Sequence, residues 1–374
     1  MLYQTHARVH LGNIRANLEA IRQRVGPDRK ILMAVKANGY GHGSVEVARM
    51  IAATGAADWL GVATVPSGIR LREAGIGLPI LKFSVTFPEE MPAALEQGLT
   101  LAVCDPDNAD ALEAAAGLVG SKASVHLKVD TGMGRIGVDP AEALDLARHL
   151  VRSCPNLSLD GVFTHLPVSD EADPGWTREQ VARFRGLVDG IQDVVGRRIL
   201  AHSSNSGAVL GHPEAWLDMV RPGIMAYGFY PDAGTPRTVD LLPGLSFQTR
   251  VSFLKKVAAG TSIGYGRTWV APEATWIATI PAGYADGFNR LFSNRGRVLI
   301  DGRSYPIVGR VCMDQSMVNL GPETSVKVGD TVVLLGRSGE EEISAYEWAE
   351  KLGTITYEVT CQINGRVERV YDGY

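Results

Sequence analysis

Between residues 31 and 221, short continuously apolar runs alternate with longer stretches in which apolar residues recur every three or four positions. The runs at 31–35, 60–64, 79–83, 100–103, 124–129, 160–164, 198–201 and 218–221 have the length and composition of buried parallel strands. The spaces between most of them carry helix patterns, at 44–53, 66–74, 88–98, 106–118, 139–153 and 177–195. The last is the clearest, with Val181, Phe184, Leu187, Val188, Ile191 and Val195 on one face and Thr177 and Gln180 reading as a capping box. Upstream, Ile14, Leu18, Ile21 and Val25 predict a further helix over 13–25, stopped by Gly26-Pro27. Eight strands with intervening helices predict an α/β domain. A (β/α)8 TIM-type barrel fits that count best, and a doubly wound open sheet is the alternative.

After Tyr230-Pro231 the pattern changes. Residues 231–236 read as a linker or long loop. Short alternating segments follow at 249–257, 274–281, 296–301, 304–311, 316–320 and 330–336, with turn signals at Asp301-Gly302 and Gly329-Asp330. One late helix near 344–353 opens with Ser344 and Glu347 as a capping box. The expected organisation is a barrel over 1–235 and a mostly β C-terminal domain over 236–374.

Composition narrows the class. The chain has 374 residues, 45% of them hydrophobic and 21% charged, as expected of a globular protein with a substantial core. A formal charge of −4 gives no general attraction to nucleic acid or anionic membrane. No apolar run approaches the roughly 20 residues that span a bilayer. Cys104, Cys154, Cys312 and Cys361 form no CxxC pair, so neither a metal site nor a disulfide framework is expected, and a cytoplasmic setting is the default.

The polar residues at the strand ends then point to chemistry. Lys36 follows the first strand, where three glycines (Gly39, Gly41 and Gly43) open what reads as a flexible turn. A lysine against an apolar strand can have its pKa lowered by desolvation, and such an amine can form a Schiff base; the alternative is a surface lysine capping the strand. Lys128 ends strand five, and Asp130-Thr131-Gly132-Met133-Gly134-Arg135 makes a glycine-rich loop beyond it. His165 ends strand six, His202 with Ser203-Ser204-Asn205-Ser206 follows strand seven, and Arg221-Pro222-Gly223 follows strand eight. Barrel enzymes place their chemistry at this end of the strands. The loops holding Asn205-Ser206-Gly207 and Pro222-Gly223-Ile224 would suit a phosphate, or be simple tight turns. In the β region Tyr265 lies between Gly264 and Gly266, a setting in which a tyrosine packs or the backbone approaches something closely.

Six motifs in order, AVKANGYGHG (34–43), KVDTGMGRIGV (128–138), VRPGIMAYG (220–228), GYG (264–266), GYADGFNR (283–290) and RVCMDQ (310–315), resemble the bacterial alanine racemases from about residue 8 to the C-terminus. The resemblance implies a pyridoxal 5′-phosphate enzyme that interconverts L- and D-alanine, supplies D-alanine for peptidoglycan and works as a homodimer with shared sites. It implies Lys36 as the cofactor-bonding lysine and acid/base on one face, and Tyr265, from the partner subunit, as the acid/base on the other. Arg221 would meet the pyridine nitrogen with His165 orienting it. Tyr40, Ser206, Gly223, Ile224 and Tyr357 would hold the phosphate, with Asn205 beside them. Arg135 and the N–H of Met313 from the partner would hold the substrate carboxylate. Lys128 matches a lysine that many members carbamylate to position Arg135. Asp170, Tyr284, Arg290, Ile355 and Tyr357 would line a narrow entrance. For Tyr265 to act as a base, nearby positive charge must tune it, with Arg267 or His165 as candidates. Two departures stand out. No acidic residue occupies the first strand, Arg8-Val9-His10-Leu11-Gly12-Asn13, and Gly365 replaces a bulkier residue near the end. Competing readings are a racemase of broader or serine preference, a non-catalytic single-barrel cofactor binder, and a two-domain decarboxylase. The β region carrying Tyr265 and the arginine at 221 weigh against the last two.

Overall fold

The computed structural model describes residues 3–374, which divide into two compact units: residues 13–242, and residues 3–12 with 243–374.

The first unit is a (β/α)8 barrel. Its strands are Lys30–Ala34, Trp59–Val62, Ile80–Lys82, Thr100–Val103, Ala123–Lys128, Leu157–Phe163, Leu200–His202 and Met219–Val220, numbered one to eight here. Neighbours pair in parallel from one to seven, and strand eight pairs with strand one through Lys30↔Met219 and Ile31↔Val220. The seam between seven and eight is held by single bonds: Asp218 N to Ala201 O (3.0 Å), Ala201 N to Asp218 Oδ2 (2.9 Å) and Arg221 N to Ser204 O (2.9 Å). Strand eight is short because Pro222 has no N–H to continue a ladder. Each predicted strand is found within a few residues of its expected place. Its continuous apolar run reflects burial on both faces, inside the barrel and under the helices.

The helices follow the predicted periodicity, with two differences. The 88–98 stretch is a 3₁₀ turn, Pro88–Glu90, followed by a short helix, Met91–Glu96. The long helix runs Gly175–Val195, so Thr177 and Gln180 lie inside it and cap nothing. Both are fully buried on its core face beside Val181 and Phe184. The period is what placed them inward; their polarity read as a cap only because the helix begins two residues earlier than its apolar pattern.

The second unit is mostly β. A mixed sheet joins Arg303–Pro306, Arg297–Ile300, Thr331–Ser338, Leu245–Arg250, His6–His10 and Glu368–Asp372 in that spatial order. A smaller antiparallel sheet joins Phe253–Val257, Thr275–Ile280 and Ser316–Gly321. Residues 3–12 group here, not with the barrel, because His6–His10 pairs antiparallel with Leu245–Arg250 and parallel with Glu368–Asp372. The core of the main sheet is aromatic: Phe288, Phe292 and Phe247 surround Trp348, whose indole N–H donates to Leu334 O at 3.1 Å. Ser344 caps the helix Ala345–Leu352 by accepting from Glu347 N, while the Glu347 carboxylate binds Arg297.

Glycine at 61 is required by the barrel packing. A Cβ there would run into the Phe83 ring and lie 2.7 Å from Leu32 Cδ2. Gly61→Ala is expected to cost about 1–3 kcal/mol through overpacking, read as a lower urea midpoint at unchanged slope.

Candidate active site

The end of strand one leads straight into an unusual turn. Ala37, Asn38, Gly39 and Tyr40 have φ of 51, 53, 63 and 51°, a full left-handed turn in which three residues carry a Cβ. Each such residue costs roughly 1–2 kcal/mol. The turn is ordered rather than flexible, because Gly39 N donates to Val35 O (2.9 Å), Gly41 N to Ala37 O (3.0 Å) and Gly43 N to Asn38 O (2.8 Å). Asn38 Oδ1 also accepts from Ser44 N at 3.1 Å, opening the next helix. Lys36 thus projects from a fixed support, with its ammonium 5.9 Å from the centre of the Tyr40 ring.

Tyr40 reaches the turn after strand eight. A Cβ on Gly223 would lie 2.5 Å from Tyr40 Oη. Ser206 is buried beside the same turn, where its hydroxyl oxygen accepts from Gly223 N (3.0 Å) and Met225 N (3.3 Å). A hydroxyl that already accepts twice keeps its own proton to give elsewhere. Ile224 starts the 3₁₀ turn Ile224–Tyr227, and the Asn205 side chain caps the helix Ser206–Gly211 by accepting from Ala208 N. Asp170 lies close by, since a Cβ on Gly207 would meet its N–H nitrogen at 2.9 Å. Burial first, and Asp232 second, raises the Asp170 carboxyl above the ordinary range.

Arg221 is buried at the centre of this end of the barrel. It donates to His202 Nδ1 (2.9 Å), Thr164 O (2.7 Å) and Ser203 O (3.0 Å), and lies 3.5 Å from His165 Nδ1. Burial pulls it down to about 9, so it is still a cation at neutral pH. Because arginine can only donate, the neutral His202 ring must carry its proton on Nε2, and it passes that donor to His126 Nδ1 at 2.9 Å. Burial, then Arg221 and His126, holds His202 well below the imidazole range, and burial brings His126 down to about 4. His202 was visible as a strand-end residue, but its bond to Arg221 was not. His126, inside an apolar strand, gave no signal beyond its type.

Lys128 is almost fully buried, with its ammonium donating to Val129 O at 3.0 Å. Burial, then Arg221, lowers it to about 7. Asp130 organises the loop that follows: its carboxylate accepts from the N–H groups of Gly132 (2.9 Å), Met133 (2.8 Å), Gly134 (3.1 Å) and Arg135 (3.2 Å). Burial alone would raise its pKa, but these bonds and Lys128 bring it below the usual carboxylate value. Arg135 is exposed on this loop. His165 feels all of these groups. Burial first, then Arg221, Arg135, Lys128 and Lys36, keeps it neutral.

The remaining expected residues belong to the β unit. Tyr265 is 70% exposed on a 3₁₀ turn, and Met313 is 53% exposed. The Arg267 guanidinium goes to Ser262 Oγ (2.9 Å), whereas Arg310 Nε lies 3.3 Å from the point a Cβ on Gly266 would occupy. Cys312 and Met313 are held close to the Gly283 turn, where Tyr284 N donates to Cys312 O (3.0 Å) and Ala285 N to Met313 O (3.0 Å). Tyr284 and Arg290 line one cavity of about 360 Å³ with Gly287, Asn289 and Gln362. Gln362 ends the helix Thr356–Gln362, which contains Tyr357 and follows Ile355.

The fold and these strand-end groups define a two-domain (β/α)8-barrel enzyme. Residues 9–231 match the family model described as alanine racemase, N-terminal domain, and residues 244–371 match alanine racemase, C-terminal domain. An alanine racemase of Cutibacterium acnes is 49% identical over 99% of this chain and 98% of that protein. One from Chlorobaculum tepidum is 46% identical over 98% of this chain and 95% of that one. Among solved structures, the alanine racemase of Clostridium difficile 630 superposes with a TM-score of 0.94 at 38% identity, covering 100% of this chain and 96% of that chain. The chain belongs to the alanine racemase family and is therefore an isomerase.

Because four loop N–H groups converge on one carboxylate, Asp130→Asn should leave the fold intact but loosen Arg135. We expect the KM for amino-acid substrate to rise about tenfold with a smaller change in kcat, corresponding to ~1.4 kcal/mol of lost binding; steady-state kinetics against circular-dichroism controls checks this.

Proposed function

We propose that the protein interconverts L- and D-alanine with pyridoxal 5′-phosphate and two bases, Lys36 and Tyr265. The observation that carries this reading is the gathering of cationic side chains around neutral His165, with Arg221 buried and bonded only to neutral partners. A buried cation without a counter-charge costs several kcal/mol, and a doubly anionic cofactor with an amino-acid carboxylate would offset it.

The residues present fit the cofactor. Only a glycine at 223 lets the Tyr40 hydroxyl come this close to the turn, since a Cβ would collide with it, and the Ser206 hydroxyl that accepts from Gly223 N keeps its own proton to donate. Tyr40, Asn205, Ser206, Gly223 and Ile224, with Tyr357, are assigned to the phosphate. Arg221 would donate to the pyridine nitrogen, which a cation at neutral pH would leave unprotonated, and His165 would orient Arg221. When bound, pyridoxal phosphate supplies an electron sink that acidifies the substrate α-proton.

The proton transfers belong to this chain. The Lys36 Nζ takes the α-proton of D-alanine, and the Tyr265 hydroxyl returns one to the other face. The L-to-D direction uses the same two groups with roles exchanged. Arg135 and the Met313 N–H hold the substrate carboxylate. Asp170, Tyr284, Arg290, Ile355 and Tyr357 narrow the entrance to a small side chain. Tyr265 and Met313 serve the site of a second copy, a reading supported by their exposure. The product would supply peptidoglycan synthesis, and four free cysteines support a cytoplasmic setting. No helix among the described residues is long and apolar enough to cross a membrane.

In D₂O with L-alanine and added cofactor, the wild type should exchange the α-proton and accumulate D-alanine. Tyr265→Phe should lose about 10²–10⁴-fold in the L-to-D rate, and Lys36→Ala should be inactive. Mixing the two variants should restore activity through mixed dimers. An unchanged L-to-D rate in Tyr265→Phe would remove the two-base assignment.

We also propose that Lys128 is carbamylated. An amine near 7 is largely neutral at pH 8, and it adds carbon dioxide by forming an N–C bond and releasing a proton to solvent, giving an anion that positions Arg135. With ¹³C-bicarbonate, a carbamate resonance should grow from pH 6 to pH 8 and be missing in Lys128→Ala. A wild-type spectrum without it sinks the assignment.

A further inference from the structure

Away from the strand ends, on the outer layer of the barrel, three potential ligands from two neighbouring helices meet. Asp110 lies in the helix Pro106–Val119, His149 lies in Ala143–Ser153, and Cys154 is the residue that ends the second helix. One carboxylate oxygen, one imidazole nitrogen and the sulfur all lie within 4.8 Å of one another. His149 Nε2 is 2.6 Å from Asp110 Oδ1. Cys154 is only 1% exposed and is not in a disulfide, whereas the His149 and Asp110 side chains are 28% and 61% exposed. The sulfur is therefore the floor of the cluster, with the imidazole and carboxylate closing over it from the solvent side.

We propose that Asp110, His149 and Cys154 bind a thiophilic divalent cation of the zinc class.

The donor set selects the ion. Sulfur, nitrogen and oxygen together suit zinc and its borderline neighbours, whereas magnesium and calcium prefer oxygen alone. Metal–ligand bonds of about 2.0–2.3 Å at tetrahedral angles put ligand atoms roughly 3.3–3.7 Å apart. Three atoms already within 4.8 Å need only side-chain adjustment to reach that. The His149–Asp110 pair must open by less than ~1 Å, which two partly exposed side chains allow. The fourth position faces solvent and would hold water.

The surroundings add negative charge. Glu113, one turn beyond Asp110, acts on the thiol along with Asp110. Its two oxygens are held by Asn156 N (2.9 Å) and Asn156 Nδ2 (2.6 Å), which anchors the chain just past Cys154. The same charge, with burial, argues against a nucleophilic Cys-His-Asp triad, which needs a stabilised thiolate in an electropositive setting. On binding, the S–H bond breaks as the sulfur–metal bond forms, and the proton leaves to solvent. His149 binds through the Nε2 lone pair of the neutral imidazole, with its ring proton on Nδ1, so the site releases the thiol proton alone. No short cysteine spacing announces the site, because its ligands are 39 and 5 residues apart in the chain.

The test is cobalt titration of chelator-treated holoenzyme, using the thiolate-to-cobalt charge-transfer band. One Co²⁺ per chain should bind and be displaced by Zn²⁺. The band should vanish in Cys154→Ser, and affinity should fall at least about tenfold in His149→Ala and Asp110→Asn. Racemisation should be unchanged in all three. If Cys154→Ser proves unstable, the half-exposed His149→Ala decides, with a zinc-induced rise in melting temperature expected in the wild type alone. No band in the wild type overturns the proposal, as does a band that persists in Cys154→Ser or equal affinity in His149→Ala.

Discussion

A guanidinium buried at the end of a barrel, without a carboxylate against it, is the constraint on which the rest depends. Arg221 is placed by the seam where strand eight meets strand seven, and three neutral acceptors hold its donors in fixed directions. One acceptor is a histidine that must be neutral to accept, and burial together with Arg221 itself keeps it so. The next histidine inward accepts a hydrogen bond from that ring's Nε2–H, giving a row of dipoles pointing away from the cation. The arrangement keeps a charge available inside the protein instead of neutralising it, and Lys128, His165, His202 and His126 all feel it.

The two loops that carry the other cations solve opposite problems. Lys36 stands on a turn of reversed hand, whose steric cost is met by a closed set of backbone bonds and an asparagine that starts the next helix. Arg135 stands on a loop with little regular structure, which one aspartate gathers through four N–H groups. In both, bonds within the chain fix the support of the side chain, the usual requirement for positioning a reacting group.

Much of this was legible in the sequence. The eight barrel strands were visible because burial on both faces leaves a continuous apolar run, and the helices because one face is apolar. Lys36, Arg135, His165 and Arg221 were visible because they punctuate strand ends. What stayed hidden depends on direction and distance. The hand of the turn at 37–40 is not a composition signal, and glycines there suggested looseness. Thr177 and Gln180 looked like a cap because polarity marks helix starts more often than helix interiors. The Arg221–His202–His126 row joins three strands, so no local spacing reveals it. The membership of His6–His10 in the β unit is hidden for the same reason, since its pairing partners lie more than 230 residues away.

That last feature bears on how the chain is made. The strand His6–His10 precedes the barrel in the chain, yet one of its two neighbours, Glu368–Asp372, follows it by more than 120 residues. The barrel is complete in sequence well before then, so it can fold during synthesis while the opening strand waits with an open edge. A chain that stopped short of Glu368–Asp372 would therefore leave an intact barrel tethered to an unfinished sheet. In such a product His6–His10 would be paired only with Leu245–Arg250 and would present its other edge, the kind that recruits other chains.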